Sequence, residues 1–114
     1  GPLVRHGDQE WGDVVRWTLN AMIAAEELGI TSANVDKMAE GTNNPEINRM
    51  LGTEGELGAM LGLDKDWAHK IIKSVGNYGE VFERNIGENT PIGLSRGQNA
   101  QWTNGGLLYS PPFR

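Results

Sequence analysis

The feature that most constrains this chain is one long amphipathic stretch, residues 8–29, with the sequence DQEWGDVVRWTLNAMIAAEELG. Its large apolar side chains recur at three- and four-residue spacings, which is the pattern of an α-helix with a buried face. They are Trp11, Val14, Val15, Leu19, Met22, Ile23 and Leu28. Asp8 is placed to cap the first turn and Gly29 to end the last one. A helix over residues 9–28 is therefore predicted, with a length of about 30 Å.

The apolar surface of this helix is wider than a single stripe, because Trp17, Ala21 and Ala24 add to it. A helix that is apolar on several sides needs cover on several sides. The residues before it, PLVRH at positions 2–6, have a strand-like composition. We therefore expect a short strand that leads into a helix packed against more than one partner.

Composition limits the class of protein. A chain of 114 residues has the length of one ordinary domain and can bury a core. Its net charge of -5 and the lack of a Lys/Arg cluster argue against binding to nucleic acid. Without cysteine it cannot form disulfides, iron–sulfur clusters or Cys-rich zinc sites. No apolar run approaches the roughly 20 residues of a membrane span, and no signal peptide is visible.

Shorter helical segments follow the long one, each marked by capping residues. Ser32 is predicted to cap a short helix, and Asn44-Pro45-Glu46 has the order of N-cap, first-position proline and first-turn acid. Thr53 and Glu56 match a capping box. These segments are predicted to carry inward apolar residues, namely Val35, Met38 and Ala39, then Ile47, Met50 and Leu51, then Leu57, Met60 and Leu61.

A further helix is predicted to start near residues 63–66 and to bury one face, made of Trp67, Ile71, Ile72 and Val75. The sequence GNYG at residues 76–79 either breaks this helix or starts another over residues 80–85, with Val81, Phe82 and Ile86 inward. From Gly87 onward, turn signals dominate. Scattered aromatic and aliphatic residues make disorder improbable there. We expect an irregular but docked tail, with a helical turn near residues 98–102.

Few residues offer candidate chemistry. His6 and His69 are the only histidines, and each would need acids or a nucleophile from elsewhere to form a metal site or a catalytic pair. Glu54 and Glu56 could act as paired carboxylates in glycoside hydrolysis, but two positions apart on a helix they point in different directions. Helix capping and solvated surface are the favoured interpretations of all four residues.

Other patterns also have a simpler structural interpretation. Asp64 and Asp66 are typical of a helix start, and their segment lacks the ligand count of a calcium loop. The glycine-bearing turns at residues 52–55 and 76–79 could cradle an anion, but neither matches a dinucleotide or Walker pattern. Four tryptophans could form a binding cage, although their helical spacing favours core positions. They are Trp11, Trp17, Trp67 and Trp102. We therefore predict no catalytic residue, no metal ligand and no cofactor.

Long segments of the sequence resemble one family. They are residues 1–36 (GPLVRHGDQEWGDVVRWTLNAMIAAEELGITSANVD), 44–64 (NPEINRMLGTEGELGAMLGLD) and 75–114 (VGNYGEVFERNIGENTPIGLSRGQNAQWTNGGLLYSPPFR). Together they are similar to the C-terminal part of periplasmic substrate-binding proteins of general L-amino-acid ABC transporters. These are family 3 solute-binding proteins with the type 2 periplasmic-binding-protein fold, in which two α/β lobes close on an amino acid. The resemblance covers nearly the whole chain.

The resemblance implies a division of the chain. Residues 1–30 correspond to the last hinge strand and the first-lobe helix that follows it, and residues 31–114 to a helical extension with a wrapping tail. The fragment itself is then mainly α, although the parent fold is α/β. The implied function is periplasmic binding of an L-amino acid and its delivery to the permease subunits, without catalysis. The family's ligand-gripping residues match nothing here, so the ligand site is expected mainly outside these 114 residues.

Two other classes remain open from the residues alone. One is a free-standing helical protein-interaction module, and the other is a muramidase-like hydrolase built on Glu54 or Glu56. If these 114 residues are a fragment taken alone, the apolar face of the long helix lacks its sheet. Large exposed apolar patches are uncommon in soluble monomers. The isolated fragment is therefore predicted to self-associate.

Overall fold

The computed structural model describes residues 9–52 and 66–110. In these ranges five α-helices follow one another: α1 (Gln9–Glu27), α2 (Val35–Ala39), α3 (Pro45–Met50), α4 (Trp67–Val75) and α5 (Tyr78–Ile86). Two short 3-10 helices, Gly97–Asn99 and Trp102–Asn104, lie in the tail. The described part contains no strand, only an isolated bridge between Gln101 and Leu108. The predicted mainly α class is confirmed. The strand expected at residues 2–6 and the capping box at Thr53 lie outside the described residues.

Helix α1 ends one residue earlier than predicted, and glycine is the reason. Gly29 adopts a φ of 74°, a left-handed conformation that favours glycine. Its N–H donates to the carbonyl of Glu26 at 3.2 Å, and the N–H of Ile30 donates to that of Ala25 at 2.8 Å. This pair of bonds is a Schellman motif, and the fully buried Ile30 provides its hydrophobic contact.

The core lies on the alanine side of α1. Ala21, Ala24 and Ala25 are at most 3% exposed, and their small side chains let the other helices approach closely. The core cluster is completed by Ile30, Val35, Ile47, Met50, Leu51, Trp67, Ala68 and Ile72. Helix α1 thus packs against α4 and α5, while α2 packs against α3 and α4. The wider stripe of α1, with Val15, Leu19 and Met22, is only partly covered.

The predicted cap of α3 is correct, and the predicted cap of α2 is wrong. Asn44 caps α3 by accepting from the N–H of Glu46 at 2.9 Å, with Pro45 at the first position. The turn at residues 76–79 both ends α4 and starts α5, because Gly76 has a φ of 93° and Asn77 forms a capping box with Glu80. Ser32 does not cap α2. Asn34 occupies that position, and Ser32 bonds to Glu80.

The tail is irregular and docked, as predicted. The 3-10 helix Gly97–Asn99 lies where a helical turn was expected. The tail's own backbone bonds fold it back on itself, since the N–H of Leu107 donates to Gln98 and that of Leu108 donates to Ala100. Several large apolar residues of the tail remain on its outer side. They are Ile92, Leu94, Trp102, Leu107 and Tyr109, between 49% and 72% exposed.

Candidate functional site

An open apolar groove runs along the less covered side of α1 and is the main cavity candidate in the described residues. Its volume is about 550 Å³, and we call it the α1 groove. It is lined by Val15, Thr18, Leu19, Met22, Ile23, Tyr78 and Leu108. The groove is therefore built by three elements that are distant in sequence: α1, the start of α5 and the tail.

The chemistry of the α1 groove suits an apolar protein surface rather than a free amino acid. None of the described residues that line it is charged, and the hydroxyl of Thr18 already donates to the carbonyl of Val14 at 2.7 Å. A buried ammonium or carboxylate without a charged or hydrogen-bonding partner is costly. A smaller groove of about 190 Å³ follows α5, with Val81, Phe82 and Ile86 in its lining, and shares Tyr78 with the first.

A partly buried ion pair joins the tail to α1. The guanidinium of Arg96 donates to both carboxylate oxygens of Glu26, at 2.7 Å and 2.6 Å. It also lies 5.5 Å from the ring centres of Tyr78 and Phe82. These side chains of Arg96 and Glu26 are only 17% and 16% exposed. The hydrogen bonds to Glu26 are the main reason that the pKa of Arg96 is raised, so the guanidinium stays charged. A bidentate pair of this kind fixes orientation as well as distance.

The next residue, Glu27, holds the other end of the tail. Its Oε1 accepts from the backbone N–H of Ser110 at 3.2 Å, and its carboxylate also accepts from the indole N–H of Trp102. Burial nevertheless raises the pKa of Glu27, and the negative charges of Glu46 and Glu26 add to that effect. Adjacent carboxylates at one helix end thus have opposite environments, since Glu26 has a cation and Glu27 has only neutral donors.

Glu80 links the start of α5 to the turn after α1. Its carboxylate accepts from the backbone N–H and the hydroxyl of Ser32, at 2.9 Å and 2.6 Å, and from the N–H of Asn77 at 3.1 Å. Burial acts to raise the pKa of Glu80, but these hydrogen bonds outweigh it and the pKa is lowered. The side-chain N–H of Asn77 donates to the carbonyl of Ile30 at 2.8 Å. The glycine-bearing turn at residues 76–79 is therefore a packed junction.

His69 lies in an exposed cluster between α2 and α4. Asp36 is 2.8 Å from the Nε2 of His69 and 2.7 Å from the Nζ of Lys73. The pKa of Asp36 is lowered, first by the hydrogen bond from Lys73 and then by that from His69. Among the described residues no group of three or more His, Cys, Asp or Glu could hold a metal ion.

The remaining candidates from the sequence fall in several places. Asp66 immediately precedes α4 and lies 3.5 Å from the amine of Lys70. His6, Glu54, Glu56 and Asp64 lie outside the described residues. None of the described helices combines the length and apolar character needed to cross a bilayer.

The tryptophans do not form a cage in the described chain. Trp67 is 6% exposed and belongs to the core, and Trp17 packs against that core. Trp11 and Trp102 are more than half exposed, at 57% and 56%. The expectation of core positions is correct for the first two and wrong for the others, because α1 buries its alanine side and the tail turns Trp102 outward.

Sequence reasoning missed the pairing of Glu26 and Glu27 with the tail. The partners Glu26 and Arg96 are 70 positions apart. One local signal was available: two acids in the last turn of a helix face the negative end of the helix dipole. Such a placement indicates that the acids have partners elsewhere.

Several curated relatives match the whole chain. The Glutamate/glutamine/aspartate/asparagine-binding protein BztA of Rhodobacter capsulatus is 62% identical over 114 residues. The putative amino-acid ABC transporter-binding protein YhdW of Escherichia coli K12 is 54% identical over 114 residues, and the general L-amino acid-binding periplasmic protein AapJ of Rhizobium johnstonii is 55% identical over 116. The chain spans about a third of each relative, 33% to 34% of its length.

A solved structure shares the fold of the chain. It is an ABC transporter/periplasmic binding protein from Brucella ovis with glutathione bound. The match has a TM-score of 0.92 at 59% identity, and it covers 97% of this chain and 35% of that one. No protein-family model matches the chain.

Proposed function

Because this chain matches the C-terminal portion of amino-acid ABC transporter periplasmic binding proteins, we propose that it works as the C-terminal segment of such a protein. The whole protein binds L-amino acids in the bacterial periplasm and delivers them to the permease subunits of the transporter. One observation carries the proposal: sequence identity of 54% to 62% extends over every residue of the chain. The proposal assigns no catalytic step to the chain.

The proposed roles of the two parts follow the division expected from the sequence. Residues 1–30 belong to the first lobe as its hinge strand and helix, and residues 31–114 form a helical extension. The α1 groove supports this division, because the partly covered side of α1 offers an apolar surface of the size and chemistry that a sheet would cover. The partner proposed for the groove is therefore the preceding part of the same protein.

The ligand site is proposed to lie mainly outside residues 1–114. An amino acid carries a carboxylate and an ammonium, and both need charged or hydrogen-bonding partners when they are removed from water. The α1 groove has no charged side chain among its described lining residues, and Arg96, which would suit a carboxylate, is already paired with Glu26. The described residues therefore supply scaffold and contact surface.

Calorimetric titration of the protein as its gene encodes it tests this function. The panel consists of L-glutamate, L-glutamine, L-aspartate, L-asparagine, a neutral aliphatic L-amino acid and glutathione, chosen from the names of the relatives and the structural neighbour. We expect saturable heat for at least one L-amino acid and none for its D enantiomer. Absence of heat for every L-amino acid would remove the proposal. Heat for glutathione alone would indicate that the protein binds a peptide-like ligand instead of an amino acid.

A further inference from the structure

Residues 96–110 form a loop that is folded back on itself by its own backbone hydrogen bonds. The N–H of Trp102 donates to the carbonyl of Leu108 at 2.9 Å, and the N–H of Leu108 donates to that of Ala100 at 3.1 Å. Gly106 packs so tightly on Ala100 that a β-carbon there would overlap the Ala100 carbonyl. Compact loops with close ends and internal packing behave as units. We call these residues the strap.

The strap is attached to α1 at two points of unequal strength. At its root, Arg96 makes a bidentate, charge-assisted pair with Glu26 under two aromatic rings. At its far end, Glu27 accepts from Ser110 and Trp102, two neutral donors, in a place where its negative charge is disfavoured by burial. The far attachment is therefore the weaker of the two.

The strap can bend next to its root. Gly97 has a φ of 50°, and no atom of the described residues lies within 4 Å of where a β-carbon would be. Glycine positions of this kind can absorb large changes in backbone angles. The chain before the root is held in place, because the N–H of Leu94 donates to the carbonyl of Ile86 at the end of α5.

We propose that the strap opens and closes as one unit, rooted at Arg96 and latched by Glu27, and that its opening withdraws Leu108 from the α1 groove. Leu108 is the strap's contribution to the groove lining, whereas its neighbour Leu107 is 72% exposed. Closing therefore completes one wall of the groove and opening removes it. The strap would control how tightly the preceding part of the same protein is held against α1, a step that rests on the function proposed above. This device does not depend on which ligand the protein binds.

Thiol labelling tests the motion in the protein as its gene encodes it, because this chain contributes no cysteine of its own. Leu108→Cys reports the inward side of the strap, and Leu107→Cys is the matched control on the outward side. Glu27→Ala removes the latch. It is expected to speed labelling at Leu108→Cys about tenfold, the effect of losing hydrogen bonds to a charged group, and to leave Leu107→Cys unchanged. Ser110→Pro removes one of the two donors to Glu27 and should speed labelling at Leu108→Cys by a smaller factor.

Amide hydrogen exchange distinguishes opening of the strap as one unit from local unfolding of the strap. In Glu27→Ala, the N–H groups of Trp102 and Leu108 should keep their protection, and so should those of Leu94 and Ile30 outside the strap. Gly106→Ala provides the contrasting pattern, because it disrupts the internal packing and should expose the same strap amides. Unchanged labelling at Leu108→Cys in both latch variants would overturn the proposal. Loss of protection at Trp102 and Leu108 in Glu27→Ala would overturn it as well. Amino-acid titration plays no part in either readout, so failure here leaves the proposed function untouched.

Discussion

At the scale of single residues, Glu26 and Glu27 show how strongly the environment decides what a carboxylate contributes. Glu26 has a charged partner in Arg96, with two short hydrogen bonds and two aromatic rings around the pair. Glu27 accepts from two neutral donors, is partly removed from solvent and lies near the negative charge of Glu46. Both carboxylates are partly removed from water, and only Glu26 has a cation beside it to offset that loss.

Replacing Glu27 by Gln is expected to stabilise the folded protein at pH 7. The raised pKa of Glu27 means that its charge opposes folding above its unfolded pKa of about 4.3. Glutamine removes the charge and keeps an oxygen that can accept from Ser110. The gain should be below about 1 kcal/mol, because a partly solvated carboxylate interacts weakly. The measurement is the free energy of unfolding in urea.

The pH dependence of the Glu27→Gln effect provides its control. A raised folded pKa makes the penalty largest above that pKa, and the penalty falls away as pH drops and both states become protonated. The difference in unfolding free energy between the two proteins should therefore shrink below about pH 4. A stabilisation that is the same at pH 4 and pH 7 would show that charge burial is not its cause.

Gly79→Ala is expected to destabilise the protein although alanine is the better helix former. A β-carbon at Gly79 would overlap the carboxylate of Glu26 and approach the guanidinium of Arg96 at 2.8 Å. Displacing this partly buried pair should cost about 1–3 kcal/mol, which exceeds the gain of about 1 kcal/mol in helix propensity. Ser74→Ala, at an exposed position of α4, serves as the control for a change to alanine that does not touch the pair. Equal unfolding free energies for Gly79→Ala and the unmodified protein would contradict this reasoning.

At the scale of elements, two asparagine caps allow a direct comparison. Asn44 is exposed and serves α3 alone, by accepting from the N–H of Glu46. Asn77 is 6% exposed and does two things: it accepts from the N–H of Glu80 and donates to the carbonyl of Ile30 at 2.8 Å. The Asn77 cap therefore joins α5 to the turn after α1, whereas the Asn44 side chain bonds only within its own helix start.

Substitution of each cap by alanine should show this difference. Asn44→Ala is expected to lower the unfolding free energy by about 1 kcal/mol, the usual value of a lost N-cap. Asn77→Ala loses a cap and also leaves the buried carbonyl of Ile30 without this donor, which raises the total to about 2–4 kcal/mol. Chemical denaturation measures both. Costs of equal size would mean that the bond from Asn77 to Ile30 contributes nothing.

Local signals made most of these elements predictable. The end of α1 at Gly29, the start of α3 at Asn44 and the turn at Gly76 and Asn77 each follow from the chemistry of one or two neighbouring residues. Ser32 was assigned wrongly to a cap because its true partner, Glu80, lies 48 positions away. A pattern that depends on neighbours cannot reveal a contact between residues so far apart.

At the scale of the whole molecule, the sequence indicated the mainly helical class and the width of the apolar surface of α1, but not which side forms the core. The alanines lie in that core and the larger side chains Val15, Leu19 and Met22 line an open groove. From side-chain size alone, the larger residues would be expected in the core and the alanines nearer the surface. The candidate site was likewise not predictable as a groove, because Tyr78 and Leu108 reach it from segments far from α1. The width of the apolar surface implied that α1 needs more than one partner, and the resemblance to a two-lobed family identified the expected partner as a sheet.

The α1 groove leads to the last prediction, which concerns residues 1–114 expressed alone. The groove, with Trp11 exposed on the same helix, gives two copies an apolar surface to share, so sedimentation should show association that increases with concentration. Leu19→Lys places a charge within this surface and should weaken association about tenfold or more. Ala33→Lys, at an exposed position after α1, makes the same change in net charge and should leave association unchanged. A sedimentation profile that is monomeric throughout would mean that the side of α1 with Val15 and Leu19 tolerates water, and the need for a covering partner would then disappear.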